Sequence, residues 1–582
     1  MNAKAKTRRQ SKQTRSPRSA ALREGPVDET VGEKLEYLYP EVLSGPIPRW
    51  PPDVFCLCAS LLQRSGAYAV VVDDNPPHVK GTDSVKRAKQ IERIGKEWRT
   101  ACVSESALPR DLHRWWNVII RNKNLPIQKL RTNQACAVAL LNLLGAADAA
   151  SHSIGIFSFE YEDATHCPYS KMADIQLLQT GVDKKLGATL CRGIHPSKAR
   201  VLPKMHTPQN GLTIRSMSHH LAYCQAPGVY PAWWSSADAQ SPHTFNLLII
   251  PWPDRTSPRQ FRDVSRSPLP DRLDPEHYGL FTYDQVPGPS PAKVLRLIEA
   301  AEKKVGKIDG VVFPELAMTE KEFDRLSARI VTPSRLLISG VGSSAERTRS
   351  GSNQALMDIA HRLSKNIVVR GRLRQDKHHR WKITKSQIVQ YGIGASLHPE
   401  ASWWESISVR PRSIAFATVR QWLTLSVLIC EDLARPDPVG DILRAVGPNL
   451  IIALLADGPQ ISSRWPGRYA AAFADDPGSS VLTITSAGMS RLSKAESGTQ
   501  DRSGIVSMWR DPFSGVRELE LPSNANALVL NLTVKYDREW TADGRDDDGW
   551  SGYPILAGCH AISDEKPKPT KSKPPKLKAG VK

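Results

Sequence analysis

The second half of the chain alternates short apolar runs with segments in which apolar residues recur at helical spacing. The apolar runs predict buried strands at residues 245–250, 308–313, 335–342, 354–359, 366–371, 423–429, 450–456, 480–486, 503–509 and 525–534. Between the first two runs, Val294, Leu297 and Ile298 share one helical face behind Ser290 and Pro291, a typical helix start. Because near-continuous apolar strands alternate with amphipathic helices, this half predicts an α/β fold in which helices cover the sheet.

Residues 31–240 carry a different pattern, in which the clearest signals are helical. Asp53 is placed to cap a helix whose apolar positions include Val54 and Leu61, and residues 135–150 predict an Ala/Leu-rich helix. Residues 151–240 mix Pro, Gly and His with short strand-like pieces. We interpret the apolar stripes as core packing. The sequence therefore predicts a mainly helical domain over residues 31–240, and it assigns this domain no function.

The charge of the chain is concentrated at its two ends. The 582 residues carry a formal net charge of +20, but only +5 of this belongs to residues 24–565. Residues 1–23 contain eight Lys or Arg and residues 566–582 contain seven Lys, with no acidic residue in either segment. Such charged, weakly apolar segments predict disordered tails over residues 1–30 and 564–582. We interpret them as solvated tails that aid solubility, with weak contact to nucleic-acid phosphates as the alternative.

The sequence argues against a membrane-spanning protein and against a metal-binding protein. No apolar run reaches the roughly 18–20 residues that cross a bilayer, and the charged N-terminus lacks the apolar core of a signal peptide. The nine cysteines show no disulfide framework, so we expect reduced thiols and a cytoplasmic location. Several Cys and His between Cys167 and Cys224 are zinc-binding types, but His220 and Cys224 have no Cys-x2-Cys knuckle beside them. We therefore expect no metal.

Three groups capable of chemistry follow predicted strands. Glu315 stands in VVFPEL, Cys430 stands in VLICED, and the basic stretch RLRQDKHHRWKITK covers residues 372–385. Side chains just past strand ends are aimed into a cleft by a rigid sheet. A carboxylate can take the proton of a thiol, and a lysine lowers the pKa of a thiol and stabilises developing negative charge. The pattern therefore predicts a cysteine nucleophile supported by an acid and a lysine.

The order of these motifs resembles that of the nitrilase, or carbon–nitrogen hydrolase, superfamily. Its members show Pro-Glu after a strand, Lys after a later strand, and Cys-x-Asp after a buried strand, which match Pro314-Glu315, the basic stretch and Cys430-Glu431-Asp432. The segments GPNLIIALLADGP, RWPGRYAAAF and SSVLTITSAGM resemble the family's next strand, helix and strand. The resemblance covers residues 245–563 and implies a domain over residues 241–563 that folds as a nitrilase-like four-layer α-β-β-α sandwich.

The resemblance also implies roles for individual residues. Cys430 would be the nucleophile, Glu315 the general base and Lys377 the third catalytic residue. The backbone N–H of Glu431 would bind substrate by holding the oxyanion together with the lysine. The implied enzyme hydrolyses carbon–nitrogen bonds of amides or nitriles, other than peptide bonds, without metal or cofactor. Family members commonly pair through a helix face, so a homo-oligomer is expected.

The identity of the lysine is left open by the sequence. Lys377 in Lys-His-His fits the family's Lys-x-His form best, while Lys382 and Lys385 are alternatives. The choice matters because only a lysine within reach of both the acid and the thiol can serve the predicted chemistry.

A second glutamate, which many family members carry shortly after the lysine, is missing between residues 377 and 397. Gln387 is the nearest substitute at the usual place. Glu400 or Glu405 can supply the carboxylate from a longer loop.

An alternative function belongs to another class. Nitrilase-like domains are also associated with bacterial reverse transcriptases in defence systems against phage, although this sequence has no Tyr-x-Asp-Asp run. In that interpretation, the protein is an accessory of a nucleic-acid-related system. The hydrolase fold then serves as a platform for binding or sensing, and the basic tails contact nucleic acid.

Overall fold

A computed structural model of the protein describes residues 29–72, 82–156, 166–182, 186–235, 242–266, 278–362, 367–409, 411–493, 502–549 and 551–564. The tails expected at residues 1–30 and 564–582 fall almost entirely outside these ranges. Within them, the helices are all too short or too polar to cross a membrane.

The helices of the described chain are α1 (Val31–Leu38), α2 (Pro51–Ser65), α3 (Thr82–Ser104), α4 (Arg110–Arg121), α5 (Gln134–Ala150), α6 (His166–Val182), α7 (Pro291–Val305), α8 (Glu320–Ile330), α9 (Lys385–Tyr391), α10 (Gly440–Val446), α11 (Trp465–Asp475) and α12 (Ala487–Leu492). Two shorter 3₁₀-helices matter below, Ile127–Thr132 and Cys430–Ala434.

The strands are β1 (Arg200–Pro203), β2 (Leu221–Cys224), β3 (Val229–Ser235), β4 (Thr244–Ile249), β5 (Phe261–Asp263), β6 (Tyr278–Tyr283), β7 (Gly310–Val312), β8 (Leu336–Ser343), β9 (Ser352–Arg362), β10 (Val368–Asp376), β11 (Lys382–Ile383), β12 (Ser402–Glu405), β13 (Arg412–Arg420), β14 (Leu423–Ile429), β15 (Leu450–Leu455), β16 (Ser480–Thr485), β17 (Ile505–Asp511), β18 (Gly515–Glu520), β19 (Ala527–Asp537) and β20 (Ser551–Ile562).

The N-terminal helices pack around α5, whose Ala and Leu side chains are mostly buried. Helices α2, α3 and α4 all contact it. The predicted cap at Asp53 is wrong, because Pro51 starts α2 two residues earlier, behind Trp50. The buried carboxylate of Asp53 instead accepts the backbone N–H groups of Arg192 at 2.9 Å and Gly193 at 3.1 Å. Asp53 therefore holds a distant loop against the helix.

Two seven-stranded sheets form the rest of the molecule. Sheet one has the order β10-β9-β8-β7-β4-β19-β20, and sheet two has the order β18-β17-β16-β15-β14-β13-β3. Helices α7 and α8 pack on the outer face of sheet one, whereas α11 packs on β16 and β17 of sheet two. The two sheets share one hydrophobic core, to which Leu247 and Ile338 of sheet one and Leu425 and Val427 of sheet two belong. The predicted α/β fold with an α-β-β-α sandwich and a helical N-terminal region is confirmed.

The helical region and the sandwich are joined by more than a linker. Strand β3, which precedes the expected boundary at residue 240, pairs in parallel with β13 at the edge of sheet two. The connection between β19 and β20 reaches back to the helices, where Arg545 pairs with Asp148 at 3.0 Å and Arg87 pairs with Asp543 at 2.8 Å. Both parts therefore fold around a continuous interface.

Some strands differ from the expectation. The strand predicted at residues 366–371 corresponds to β10, which starts at Val368 and continues to Asp376, whereas residue 366 lies outside the described residues. Arginines in the longer strand pair with carboxylates. Arg372 contacts Asp358 at 2.7 Å, and Arg374 contacts Glu320. The sequence did not predict β13, β20 or a small sheet of order β11-β12-β6-β5, because polar and apolar residues mix in these segments.

Candidate active site

Glu315 lies three residues beyond β7, a short parallel strand in the middle of sheet one. The backbone turns sharply there, with Leu316 at a φ of +53°. Strand β8 passes so close that a Cβ on Gly340 would lie 2.4 Å from the Cα of Glu315. The absence of a side chain at Gly340 thus lets the Glu315 turn sit on the sheet and aims its carboxylate inward.

Lys377 follows the last residue of β10, and its backbone N–H donates to the carbonyl of Asn353 on β9 at 2.9 Å. Its Nζ lies 2.9 Å from Oε1 of Glu315 and 2.7 Å from Oε2 of Glu405. The other two candidate lysines lie elsewhere. Lys382 stands over the ring of Trp404, and Lys385 pairs with Glu400 on the surface. Of the three lysines, only Lys377 is brought to Glu315.

Two further residues complete this cluster, and one of them was not predicted. Glu405, one of the two expected alternatives for the second carboxylate, lies at the end of β12 and accepts the backbone N–H of Trp381 at 3.0 Å. Asn353 donates its Nδ2 to Glu315 at 2.7 Å and to Glu405 at 2.9 Å. The amide therefore bridges the two carboxylates that flank Lys377. A single Asn inside a strand gave no sequence signal for this role.

Cys430 directly follows β14 and begins the 3₁₀-helix Cys430–Ala434. Its φ of +46° lies in the left-handed region, which is strained for a residue with a side chain. The backbone therefore turns sharply at the end of β14, and Cys430 lies at this turn. Burial raises the pKa of Cys430 well above its usual value, the charge of Glu315 raises it further, and the charge of Lys377 lowers it. The thiol therefore shares one electrostatic environment with the acid and the lysine.

Asp432 joins the turn that carries Cys430 to the strand end that carries Lys377. Its buried carboxylate accepts the backbone N–H groups of His378 and His379, each at 3.1 Å, and the Nδ1 of His379 lies 3.0 Å away. The Nε2 of His378 in turn lies 2.7 Å from the carbonyl oxygen of Ser413 on β13. These bonds fix the lysine turn against sheet two.

Glu431, expected to bind substrate through its backbone, points its side chain to Arg435 at 3.3 Å. Its N–H belongs to the first turn of the 3₁₀-helix, where backbone donors have no acceptor earlier in the helix. The carboxylate of Glu431 is thus engaged on the surface, and the backbone N–H is the part suited to an oxyanion.

The small sheet and α9 cover the site with a separate aromatic cluster that includes Phe281, Trp381, Tyr391 and Trp403. The hydroxyl of Tyr391 donates to Asp457 at 2.5 Å, just beyond the end of β15. Asp457 also accepts from Arg464 at 2.9 Å and Trp465 at 3.0 Å. Glu315, Lys377 and Cys430 are at most 4% exposed.

The protonation states follow from this burial. Burial raises the pKa of Glu315, an effect that the charge of Lys377 opposes and that of Glu405 reinforces. Burial alone lowers the pKa of Lys377, but the charges of Glu315 and Glu405 raise it well above its usual value. At neutral pH the lysine is therefore charged and the thiol protonated. The Oε2 of Glu315 is buried and has no hydrogen-bond partner among the described side chains, so it is free to accept a proton.

Two of the histidines in the region that suggested zinc are engaged in other contacts. His206 pairs with Glu539 at 2.8 Å, and His219 lies 3.0 Å from the hydroxyl of Thr207. In the parts of the chain that the structure describes, no three His, Cys, Asp or Glu side chains are grouped to hold a metal ion.

Comparison with known proteins gives structural neighbours only. No family model and no curated protein match the sequence. A mutant of an amidase from Nesterenkonia AN1, of the nitrilase superfamily, is similar with 15% identity, 46% coverage of this chain, 94% coverage of that chain and a TM-score of 0.27. Nit3 of Saccharomyces cerevisiae, of branch 10 of the same superfamily, is similar with 14% identity, 51% and 93% coverage and a TM-score of 0.26. A likeness at this level assigns no activity.

Proposed function

We propose that the protein hydrolyses carbon–nitrogen bonds of small amides or nitriles, other than peptide bonds, through a covalent intermediate on Cys430. The observation that supports this most strongly is the buried ion-pair chain of Glu315, Lys377 and Glu405, two of whose members act on the pKa of the Cys430 thiol. A nucleophile, a base and a cation in a water-excluded site suit acyl transfer. Because these groups lie beneath the small sheet, the site favours a small substrate over a polypeptide.

The first step forms a bond between Sγ of Cys430 and the carbon of the substrate. The resting thiol is protonated, so attack requires transfer of its proton to Oε2 of Glu315, which is free to accept it. With an amide, the carbonyl π electrons move to oxygen and give a tetrahedral oxyanion. The protonated Glu315 then gives the proton to the departing nitrogen, and ammonia or an amine leaves a thioester on Cys430.

The second step consumes one water molecule. Glu315 takes a proton from water as its oxygen attacks the thioester carbon. Collapse of the new oxyanion breaks the bond to Sγ, releases a carboxylic acid and returns the proton to the thiol. With a nitrile, the first adduct is a thioimidate, and two water molecules convert it to the acid and ammonia. Glu315 serves as base, acid and base again, for which a raised pKa is suited.

Lys377 and the backbone N–H of Glu431 hold the oxyanion in this proposal. A cation and a backbone donor aimed at the developing charge typically contribute about 3–4 kcal/mol each at such sites. Glu405 and Asn353 act as positioning residues, because they hold Lys377 and Glu315 in register from the opposite side. Without the second carboxylate, the ammonium would be free to rotate away from the oxyanion.

The test is a panel of small amides and nitriles assayed with the full chain. We expect turnover of at least one class, and a mass increase on Cys430 equal to the acyl group when the reaction is quenched with acid during turnover. Cys430→Ala should abolish both turnover and adduct. Cys559→Ala is the matched control, because Cys559 is an exposed cysteine on β20 far along the chain.

The outcomes separate the proposal from its rivals. Full turnover in Cys430→Ala, or an adduct on Cys559 instead, would overturn the assignment of the nucleophile. A protein that folds normally and neither turns over nor becomes acylated by any member of the panel would overturn the proposed reaction.

A further inference from the structure

Helix α4 carries a stripe of arginines on its solvent side. Its buried side is formed by Leu112, Trp115, Trp116 and Ile119, at the spacing of one helical face. Arg110, Arg114 and Arg121 follow at intervals of four and seven residues on the opposite face, and all are exposed. At about 1.5 Å of rise per residue, the stripe extends over about 16 Å.

The positive charge continues past the end of the helix. Lys123 follows α4, and Lys129 and Arg131 lie in the 3₁₀-helix Ile127–Thr132, all three exposed. We call the exposed basic residues between 110 and 131 the basic face: Arg110, Arg114, Arg121, Lys123, Lys129 and Arg131. The segment contains six basic residues and only one acidic residue. The net charge of residues 110–131 is therefore +5, which equals the net charge of residues 24–565. The other residues in that range carry equal numbers of positive and negative charges.

Most of this charge has no internal partner. Asp111 pairs with Arg114 at 2.6 Å and with Arg93 at 3.8 Å. Across the described ranges, no carboxylate lies within ion-pair distance of Arg110, Arg121, Lys123 or Lys129. The arginines of β10 differ, because Arg372 and Arg374 are both paired with carboxylates.

The N-terminal end of the described chain meets this same surface. The carbonyl of Glu29 accepts the N–H of Ile127 at 3.0 Å, and the N–H of Gly32 donates to the carbonyl of Lys123 at 2.7 Å. The sequence before Glu29 contains eight basic and two acidic residues. The first described residue of the chain, Glu29, therefore lies beside the basic face.

We propose that the basic face binds the phosphate backbone of nucleic acid without reading its base sequence. Arginine is suited to phosphate because its planar donors bind two oxygens at once. A duplex carries about one negative charge per 1.7 Å, so a stripe of about 16 Å passes roughly ten charges. The exposed amide of Asn117 on the same stripe adds a neutral donor of the kind that contacts phosphate and sugar. An acidic protein rarely offers this charge density, so nucleic acid is the better match.

The experiment measures binding of the full chain to a duplex and to a single strand of roughly 30 nucleotides, over a series of salt concentrations. The variant Arg110→Gln/Arg121→Gln/Lys129→Gln removes three unpaired cations. We expect it to reduce the slope of log affinity against log salt by up to about 2.7 for the duplex. The matched control Lys303→Gln/Lys321→Gln/Arg329→Gln removes three exposed cations from α7 and α8 and should leave the slope unchanged.

Each other result overturns the proposal in a defined way. Binding that the α4 variant leaves intact would assign nucleic-acid contact to the terminal segments instead of the basic face. Equal affinity for polyglutamate of matched charge would assign the face to an acidic protein. If the protein binds none of the probes at low salt, the basic face is a solvated surface that does not bind nucleic acid. Cys430→Ala should bind nucleic acid normally, so this result is independent of the proposed hydrolysis.

Discussion

The carboxylate of Asp432 accepts the backbone N–H of His378 at 3.1 Å from both of its oxygens, across 54 residues of sequence. Cys430 precedes Asp432 by two residues, and Lys377 precedes His378 by one. One buried carboxylate therefore ties the turn of the thiol to the strand end of the ammonium. This bond therefore helps to hold the Cys430 turn and the Lys377 strand end in register.

Asp432→Asn should lower both stability and kcat. The amide keeps one acceptor oxygen but places an NH2 group against backbone donors, so charge-assisted bonds are lost at a cost of about 2–3 kcal/mol. Because Asp432 lies behind the reacting groups, kcat should fall while KM changes little. Denaturant unfolding and steady-state kinetics on the amide found active measure the two effects. Asp437→Asn is the control, since Asp437 is largely exposed, and equal kcat in both variants would contradict the positioning role.

Glu405→Gln should shift the pH dependence of activity to lower pH. Burial and the charge of Glu405 raise the pKa of Glu315, which in the proposed mechanism must be deprotonated to accept the thiol proton. Removal of that charge lowers the pKa of Glu315, so the acid limb of kcat/KM moves down. The maximal rate should also fall, because Lys377 loses one of its two partners.

The matched variant is Glu400→Gln, which removes an exposed carboxylate paired with Lys385. Its pH profile should overlay that of the unmodified protein. If the acid limb of kcat/KM moves to higher pH in Glu405→Gln, or moves equally in Glu400→Gln, then the charge of Glu405 does not control the pKa of Glu315.

The central strands were predictable because buried strands appear in the sequence as short runs of mainly apolar residues. Strands β14, β15 and β16 pair in parallel and all their residues are buried, so β15 is entirely apolar and the other two add only Ser and Thr to their apolar residues. The small sheet was not predictable, because β11 and β12 are short and mix Lys, Ser and Glu with Trp. Its strands are defined by pairing partners far apart in the chain, such as β12 with β6.

The candidate site was predictable where a side chain follows a strand and not where it lies within one. Glu315 and Lys377 both follow strands, and the structure brings them to 2.9 Å. Asn353 lies inside β9, where the sequence offers no reason to separate it from an ordinary strand residue. Only the pairing of β9 with β10 and the approach of β12 place its amide between two carboxylates. The catalytic roles of these residues stay predictions until activity is measured.

Asp148→Asn should make stability less dependent on pH between about pH 5 and 2. Burial raises the pKa of Asp148, but the charge of Arg545 outweighs it and, with His220, His219 and a backbone donor, lowers the pKa to about 2. The unfolded carboxyl titrates near its usual value of about 3.9, so it binds a proton first as pH falls. The stabilisation is fully present above about pH 5 and is lost as the pH falls through about 2, an effect of about 2 kcal/mol.

Urea unfolding at several pH values measures this difference between Asp148→Asn and the unmodified protein. The difference in the free energy of unfolding between the two proteins should be largest near neutral pH, and it should decrease by about 2 kcal/mol at the acid end. Asp537→Asn serves as control, because that carboxylate is half exposed and 3.8 Å from Lys535. A gap that stays constant with pH would show that the Asp148–Arg545 pair does not link the helices to the sandwich through its charge.

Gly340→Ala should reduce both stability and activity, although it adds a single methyl group. The new Cβ would lie 2.4 Å from the Cα of Glu315 and 2.6 Å from the carbonyl oxygen of Pro314, both backbone atoms that cannot swing aside. The turn must shift, at a cost of about 1–3 kcal/mol, and the Glu315 carboxylate moves with it. Gly394→Ala is the control, since its Cβ would meet nothing closer than 3.8 Å. Thermal unfolding and turnover should separate the two variants, and normal activity in Gly340→Ala would mean that the position of Glu315 does not limit the reaction.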